Sequence, residues 1–120
     1  MNKFTKNIRP YVLEEIREAV AEQHAGNAEK SFSHLENAHI LGQESTYLHI
    51  LVHVRMARWA VRQKDFKELA GQIIRIIGAA TKTAVGLVPT GNTGGTNISP
   101  FKPLPLCDEH ARLISKAKEY

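Results

Sequence analysis

The chain has 120 residues, 42% of them hydrophobic, with a formal charge of +4 and an isoelectric point near 9.4. That length suits one domain with a core of its own, and that composition excludes a disordered chain. The mild basicity permits an anionic partner without requiring one, and a dedicated nucleic-acid binder concentrates more charge on one face.

No apolar h-region follows Met1-Asn2-Lys3-Phe4-Thr5-Lys6, so no secretory signal is expected. The most apolar stretch, Ile73 to Val88, is interrupted by Arg75 and Lys82, and no membrane span is expected there. The single cysteine, Cys107, excludes an intramolecular disulfide framework and suits a reducing, cytoplasmic compartment.

Helical periodicity begins near Pro10, a residue suited to a first helical turn. Tyr11, Val12, Ile16, Ala19 and Val20 recur at helical spacing, predicting a first helix from about Pro10 to His24. Ala25-Gly26-Asn27 is the turn, with Asn27 as the next cap. A second helix is expected from Ala28 to Leu41, carrying Phe32, Leu35, Glu36 and His39 towards one face, and Gly42 fits a left-handed helix end. Ser45 caps a third helix, Thr46 to Arg62, that is apolar nearly all round and therefore expected to be central. Its one charged stripe is Arg55, Arg58 and Arg62. After Lys64-Asp65, a fourth helix is expected from Phe66 to between Ala80 and Thr83, with Leu69, Ile73, Ile76, Ile77 and Ala80 as its core face.

From Gly86 to Pro105 the chain carries four glycines and four prolines, so no regular helix is expected. Interspersed Leu87, Val88, Ile98, Phe101 and Leu104 argue for packing of this segment. Asp108 is the expected cap of a last helix, to about Lys118. The predicted fold is all-α: two antiparallel helix hairpins in a four-helix bundle over about 10–84, faintly tetratricopeptide-like, an ordered Gly/Pro-rich covering loop over 85–106, and a short C-terminal helix over 108–118, forming one domain.

The chemistry concentrates at the second helix turn. His49 and His53 stand four apart on one helix, the spacing by which two imidazoles reach one metal ion. Glu36 and His39 form a Glu-x-x-His pair like those that helical bundles project into carboxylate metal sites. If the two helices are antiparallel, His39 and His49 sit at similar depths from the turn. The candidate ligands are then His39, His49 and His53, with Glu36 as fourth ligand or orienting partner. Zinc, copper, iron and nickel all suit imidazoles. If one position stayed open, Glu36 would be placed to act as base towards a bound water. Nothing in the residue set marks a substrate pocket, so enzymatic activity stays an open question.

Two other readings stand beside this one. The histidines suit equally a hydrogen-bonded polar core in a helical-hairpin module that binds a protein partner or a second copy of the chain. Thr90, Gly91, Asn92 and Thr93, with Arg55 and Arg58, would form an anion site if the loop presented its amides, although the P-loop spacing is lacking. His24 and His34 are expected to face solvent. Cys107 and His110, three apart, are a weak second metal pair.

The chain also resembles a bacterial domain family of unknown function. The resemblance rests on Leu35-Glu36-Asn37-Ala38-His39-Ile40-Leu41-Gly42-Gln43, on the His49/His53 pair, and on Gly78 to Gly95 followed by Ser99-Pro100-Phe101. Thr90-Gly91-Asn92 matches that family's Thr-Gly-Asn motif. The resemblance implies a stand-alone bacterial protein and brings no activity, substrate or catalytic residue with it.

Overall fold

In the computed structural model, which describes residues 2–82, 94–95 and 105–119, five helices follow one another: α1 (Lys3–His24), α2 (Ala28–Gly42), α3 (Thr46–Gln63), α4 (Phe66–Lys82) and α5 (Asp108–Lys118). Helices α1 and α2 form one hairpin and α3 and α4 the other, as their short connections predict. The hairpins join where α3 meets α2 and α1, and α5 packs on α1 and α2. Among the described helices α4 packs on α3 alone, so the hairpins stand in a row with α3 in the middle. That position accounts for the nearly all-round apolar character of α3. No helix among the described residues is long and apolar enough to cross a membrane.

Helix α1 starts earlier than the proline suggests. The Asn2 side chain accepts from the Thr5 amide at 2.8 Å, capping a helix whose buried stripe already runs through Thr5 and Ile8 before Val12, Ile16 and Ala19. Pro10 lies within the helix on its exposed face. There the lost backbone bond to Lys6 is cheaper, because water reaches the helix at both residues.

The turns show which local rules prevailed. Gly26 takes φ +83° and lets the Asn27 amide reach back to the Glu22 carbonyl at 2.8 Å. Asn27 does not cap α2 with its side chain; its amide donates to Glu22 Oε1 instead. Gly42 is not left-handed either. It is the last residue of α2, and a Cβ there would lie 3.1 Å from Leu48 Cβ and 3.3 Å from Val12 Cγ2. The glycine therefore serves close helix packing. Ser45 caps α3, accepting from the Leu48 amide, and is itself hydrogen-bonded by Thr5 Oγ1 at 2.7 Å. Asp65 caps α4 through the Glu68 amide at 3.0 Å. At α5 the N-cap is Cys107, whose sulfur accepts from the His110 amide, and Asp108 is the first helical residue.

The core runs through Ile8, Val12, Leu35, Leu48, Val52 and Met56, closed by Ile114 and Ala117 of α5. Ser31 Oγ donates to the Ala19 carbonyl at 2.8 Å, and Trp59 Nε1 donates to the Ala28 carbonyl at 3.0 Å. These bonds tie the first hairpin together and then to α3. Helix α4 departs from the expected pattern. Its buried positions are Glu68, Gln72 and Ala79, whereas Ile73 and Ile77 are 50% and 67% exposed. The face turned towards α3 is the polar one, because it meets histidines.

The end of α3 carries a cost that one substitution would relieve. Lys64 caps that helix at φ 55°, ψ 32°, the left-handed region that a Cβ disfavours by about 1–2 kcal/mol. Lys64→Gly should therefore stabilise the protein by up to about 1 kcal/mol after the greater entropy loss of glycine is set against the relieved strain, read as a raised urea midpoint with the helical circular dichroism unchanged.

Candidate metal centre

Three histidines from two helices meet at one point. His39 comes from the last turn of α2, and His49 and His53 from successive turns of α3; all three are buried. Their Nε2 atoms form a triangle: His39 to His49 3.0 Å, His39 to His53 3.1 Å, and His49 to His53 3.1 Å. The ring centres are 4.6–4.8 Å apart. The nitrogens are thus closer than the rings that carry them, and each Nε2 leads its ring inwards.

Such a triangle cannot be satisfied by protons alone. A hydrogen bond needs a donor and an acceptor, and an imidazole Nε2 is one or the other. Two kinds of atom placed at three corners leave at least one edge joining two of the same kind. Either two N–H groups confront each other or two lone pairs do, in a buried setting where such a mismatch is costly. A cation at the common point removes the conflict, because all three nitrogens then act as acceptors. The dimensions suit it: nitrogens held at about 2.0–2.1 Å in a tetrahedral site lie roughly 3.3 Å apart.

Helix α4 settles the tautomer of one ring. Gln72 Nε2 donates to Glu68 Oε2 at 2.6 Å and to the Gly94 carbonyl at 2.9 Å. Both partners are pure acceptors, so the NH2 end of the amide must face them. Its oxygen is thereby turned to His53 Nδ1, 2.6 Å away, and Nδ1 must carry the proton. The Nε2 lone pair of His53 is left directed into the triangle, the arrangement by which outer hydrogen bonds orient metal-binding histidines.

One carboxylate, that of Glu68, comes from α4. Glu68 is buried and influences two neighbours. Arg75 is pulled down by burial and held up by the Glu68 charge, and its guanidinium stays protonated. The half-buried Glu36 is pushed above its ordinary value of 4.5 by desolvation first, then by the negative charge of Glu68. The compact group consists of His39, His49 and His53 and does not include Glu36, which stands one turn before His39 on α2.

Gly94 closes one side. It adopts φ +86°, and a Cβ there would stand 2.6 Å from His39 Cδ2 and 2.7 Å from Cγ. A backbone without a side chain is required for this approach to the ring.

A family model described as a protein of unknown function, DUF3703, matches residues 6–114. The chain belongs to that family. No curated protein and no solved structure matches it. The matched span contains all three histidines together with Glu36, Glu68, Gln72 and Gly94.

The structure thus joins His39, His49 and His53 as their spacing suggested. Thr90, Gly91, Asn92 and Thr93 lie outside the described residues, as do the expected loop anchors Leu87, Ile98 and Phe101. Arg55 and Arg58 lie elsewhere, along a cleft with α1 and α2. His34, expected in solvent, is half-buried with Nδ1 2.7 Å from Glu15 Oε1. Cys107 is exposed and acts as a cap. Sequence reasoning passed over Glu68, Gln72 and Gly94. The first two carried a signal, a polar pair four apart and so on one face of an isoleucine-rich helix.

Two measurements check this geometry. Gly94→Ala should destabilise the metal-free protein by about 2 kcal/mol or more, adding a left-handed alanine to an overpacked contact, as read by chemical denaturation. For Glu36 the folded-state value lies above the unfolded one, so ionising this group opposes folding at neutral pH. The cost is relieved as pH falls through the folded value and is gone below the unfolded one. Glu36→Gln should therefore stabilise the metal-free protein at pH 7, by less than about 1 kcal/mol because the group is partly solvated, and the gain should vanish below about pH 4.

Proposed function

We propose that this chain is a small metal-binding protein whose ion is held by Nε2 of His39, His49 and His53. The observation that carries this reading is the buried Nε2 triangle, a frustrated hydrogen-bond arrangement that becomes a complementary one around a cation. The Glu68–Gln72–His53 relay supports it, since it dedicates the His53 lone pair to the centre.

Three imidazoles leave a fourth position in a tetrahedral shell. Glu36 is the carboxylate we assign to that side, as fourth ligand or as hydrogen-bond partner of whatever occupies the position. A doubly charged ion would reverse the electrostatics of this corner: the two carboxylates, mutually repulsive in the metal-free protein, would both be drawn to it. Zinc, copper, iron and nickel are the candidates that an all-imidazole set accepts.

The test is elemental analysis of protein purified without a polyhistidine tag, followed by addition of each of the four metals to stripped protein. About one equivalent of one metal should be found, and adding it should raise the melting temperature. His49→Ala/His53→Ala should lose both effects. Gln72→Leu should keep the stoichiometry and bind roughly 10–100-fold more weakly. In the loaded protein, Glu36→Gln should lose the stabilising effect it has in the stripped one. Absence of metal from the purified protein, together with no stabilisation by any of the four, would make the triangle a polar core and end this reading.

A further inference from the structure

Helix α3 also has a face turned away from the histidines. Arg58 follows His49 by nine residues, two and a half helical turns, which puts it on the opposite side of the helix. With Arg55 and Arg62 it borders a cleft of about 150 Å³ between α3 and the first hairpin, whose apolar lining includes Ile16, Leu35 and Trp59. Arg55 is half-buried and the other two are exposed. Among the described residues none of the three arginines has an ion-pair partner, whereas Arg17 and Lys118 each pair with a glutamate. Trp59 is held in place by its bond to the Ala28 carbonyl and by the Phe32 ring, whose centroid lies 4.5 Å away.

We infer that this cleft is a binding site for a small organic anion with one ring-sized apolar body, such as an arylalkyl carboxylate. The two halves of that ligand follow from the two walls. Guanidinium groups offer paired N–H donors that match a carboxylate. The apolar part offers an aromatic face and aliphatic side chains in a space comparable to cavities of about 150 Å³ that hold benzene. An inorganic anion would leave the apolar wall unused, and a neutral aromatic would leave the arginines unpaired. An extended acidic peptide would match the length of the arginine stripe, but most of it would lie beyond so small a cleft.

Trp59 is the only tryptophan in the chain, so its fluorescence reports on this cleft directly. The experiment titrates the metal-stripped 120-residue chain with phenylacetate, phenylacetamide, sodium sulfate and a blocked peptide of alternating aspartate and leucine. Phenylacetate should change the emission saturably, the amide and sulfate should not, and Arg55→Gln/Arg58→Gln should weaken phenylacetate at least tenfold. Both substitutions are on solvent-reached positions, and thermal melts of the variant would show that it folds. The inference is overturned by the lack of a saturable response up to about 10 mM phenylacetate, by an equal response to the amide or to sulfate, or by undiminished binding in a folded double variant. Binding of the peptide without binding of phenylacetate would overturn it in favour of a protein ligand. Because stripped protein is used, none of these outcomes depends on whether the histidines hold a metal.

Discussion

Three imidazole nitrogens packed within 3.1 Å of one another are the constraint to which the surroundings conform. In a core built for stability alone, such a group would be poor value: three buried polar rings with at least one mismatched contact, where leucine would pack without conflict. The neighbouring helices nevertheless support it. Helix α4 turns its polar row inwards, leaving Ile73 and Ile77 substantially exposed, and Gly94 gives up a side chain to reach the His39 ring. Local preference is overridden at several positions around one centre, which is the pattern expected of a functional site.

The support has a definite logic. A histidine presents a lone pair at Nε2 only if its proton is kept at Nδ1, and something must hold it there. For His53 the holder is Gln72, and Gln72 is itself oriented by two acceptors, one a buried carboxylate and one a backbone carbonyl. The relay passes from a charge through an amide to a ring, so that Glu68 helps to set the orientation of the His53 imidazole through Gln72. The Glu68 charge also acts on Glu36 and Arg75.

Helix α3 is the element on which both faces of the molecule depend. One side carries His49 and His53 against α2 and α4, and the other carries Arg55, Arg58 and Trp59 against the first hairpin. Its ends are defined: Ser45 caps the start and is braced by Thr5 from α1, and a left-handed Lys64 stops the other end. A central helix fixed at both ends holds its two faces in constant relation.

Much of this was legible in the order of residues. Helix type, the hairpin turns, the Ser45 cap and the shared direction of His49 and His53 follow from short-range rules, because spacing along a helix dictates direction; bringing His39 to them depends on how α2 packs on α3. Membership of an uncharacterised family was legible too, by resemblance rather than by physics. Other features depended on contacts between distant segments. Gly42 as a packing rather than a turn residue was decided by its contacts with Leu48 and Val12, and the start of α1 at Lys3 places Pro10 inside a helix whose Thr5 and Ile8 join the buried stripe. The inward face of α4 was the largest reversal: its isoleucines satisfy the helical period as well as Glu68 and Gln72 do, and only the presence of histidines on α3 selects the polar row. The approach of Gly94 to His39, across 55 residues of chain, has no local signal at all. Periodicity along the sequence determines which faces a helix has; the tertiary structure alone decides which face is used, since that choice depends on the chemistry of the partner.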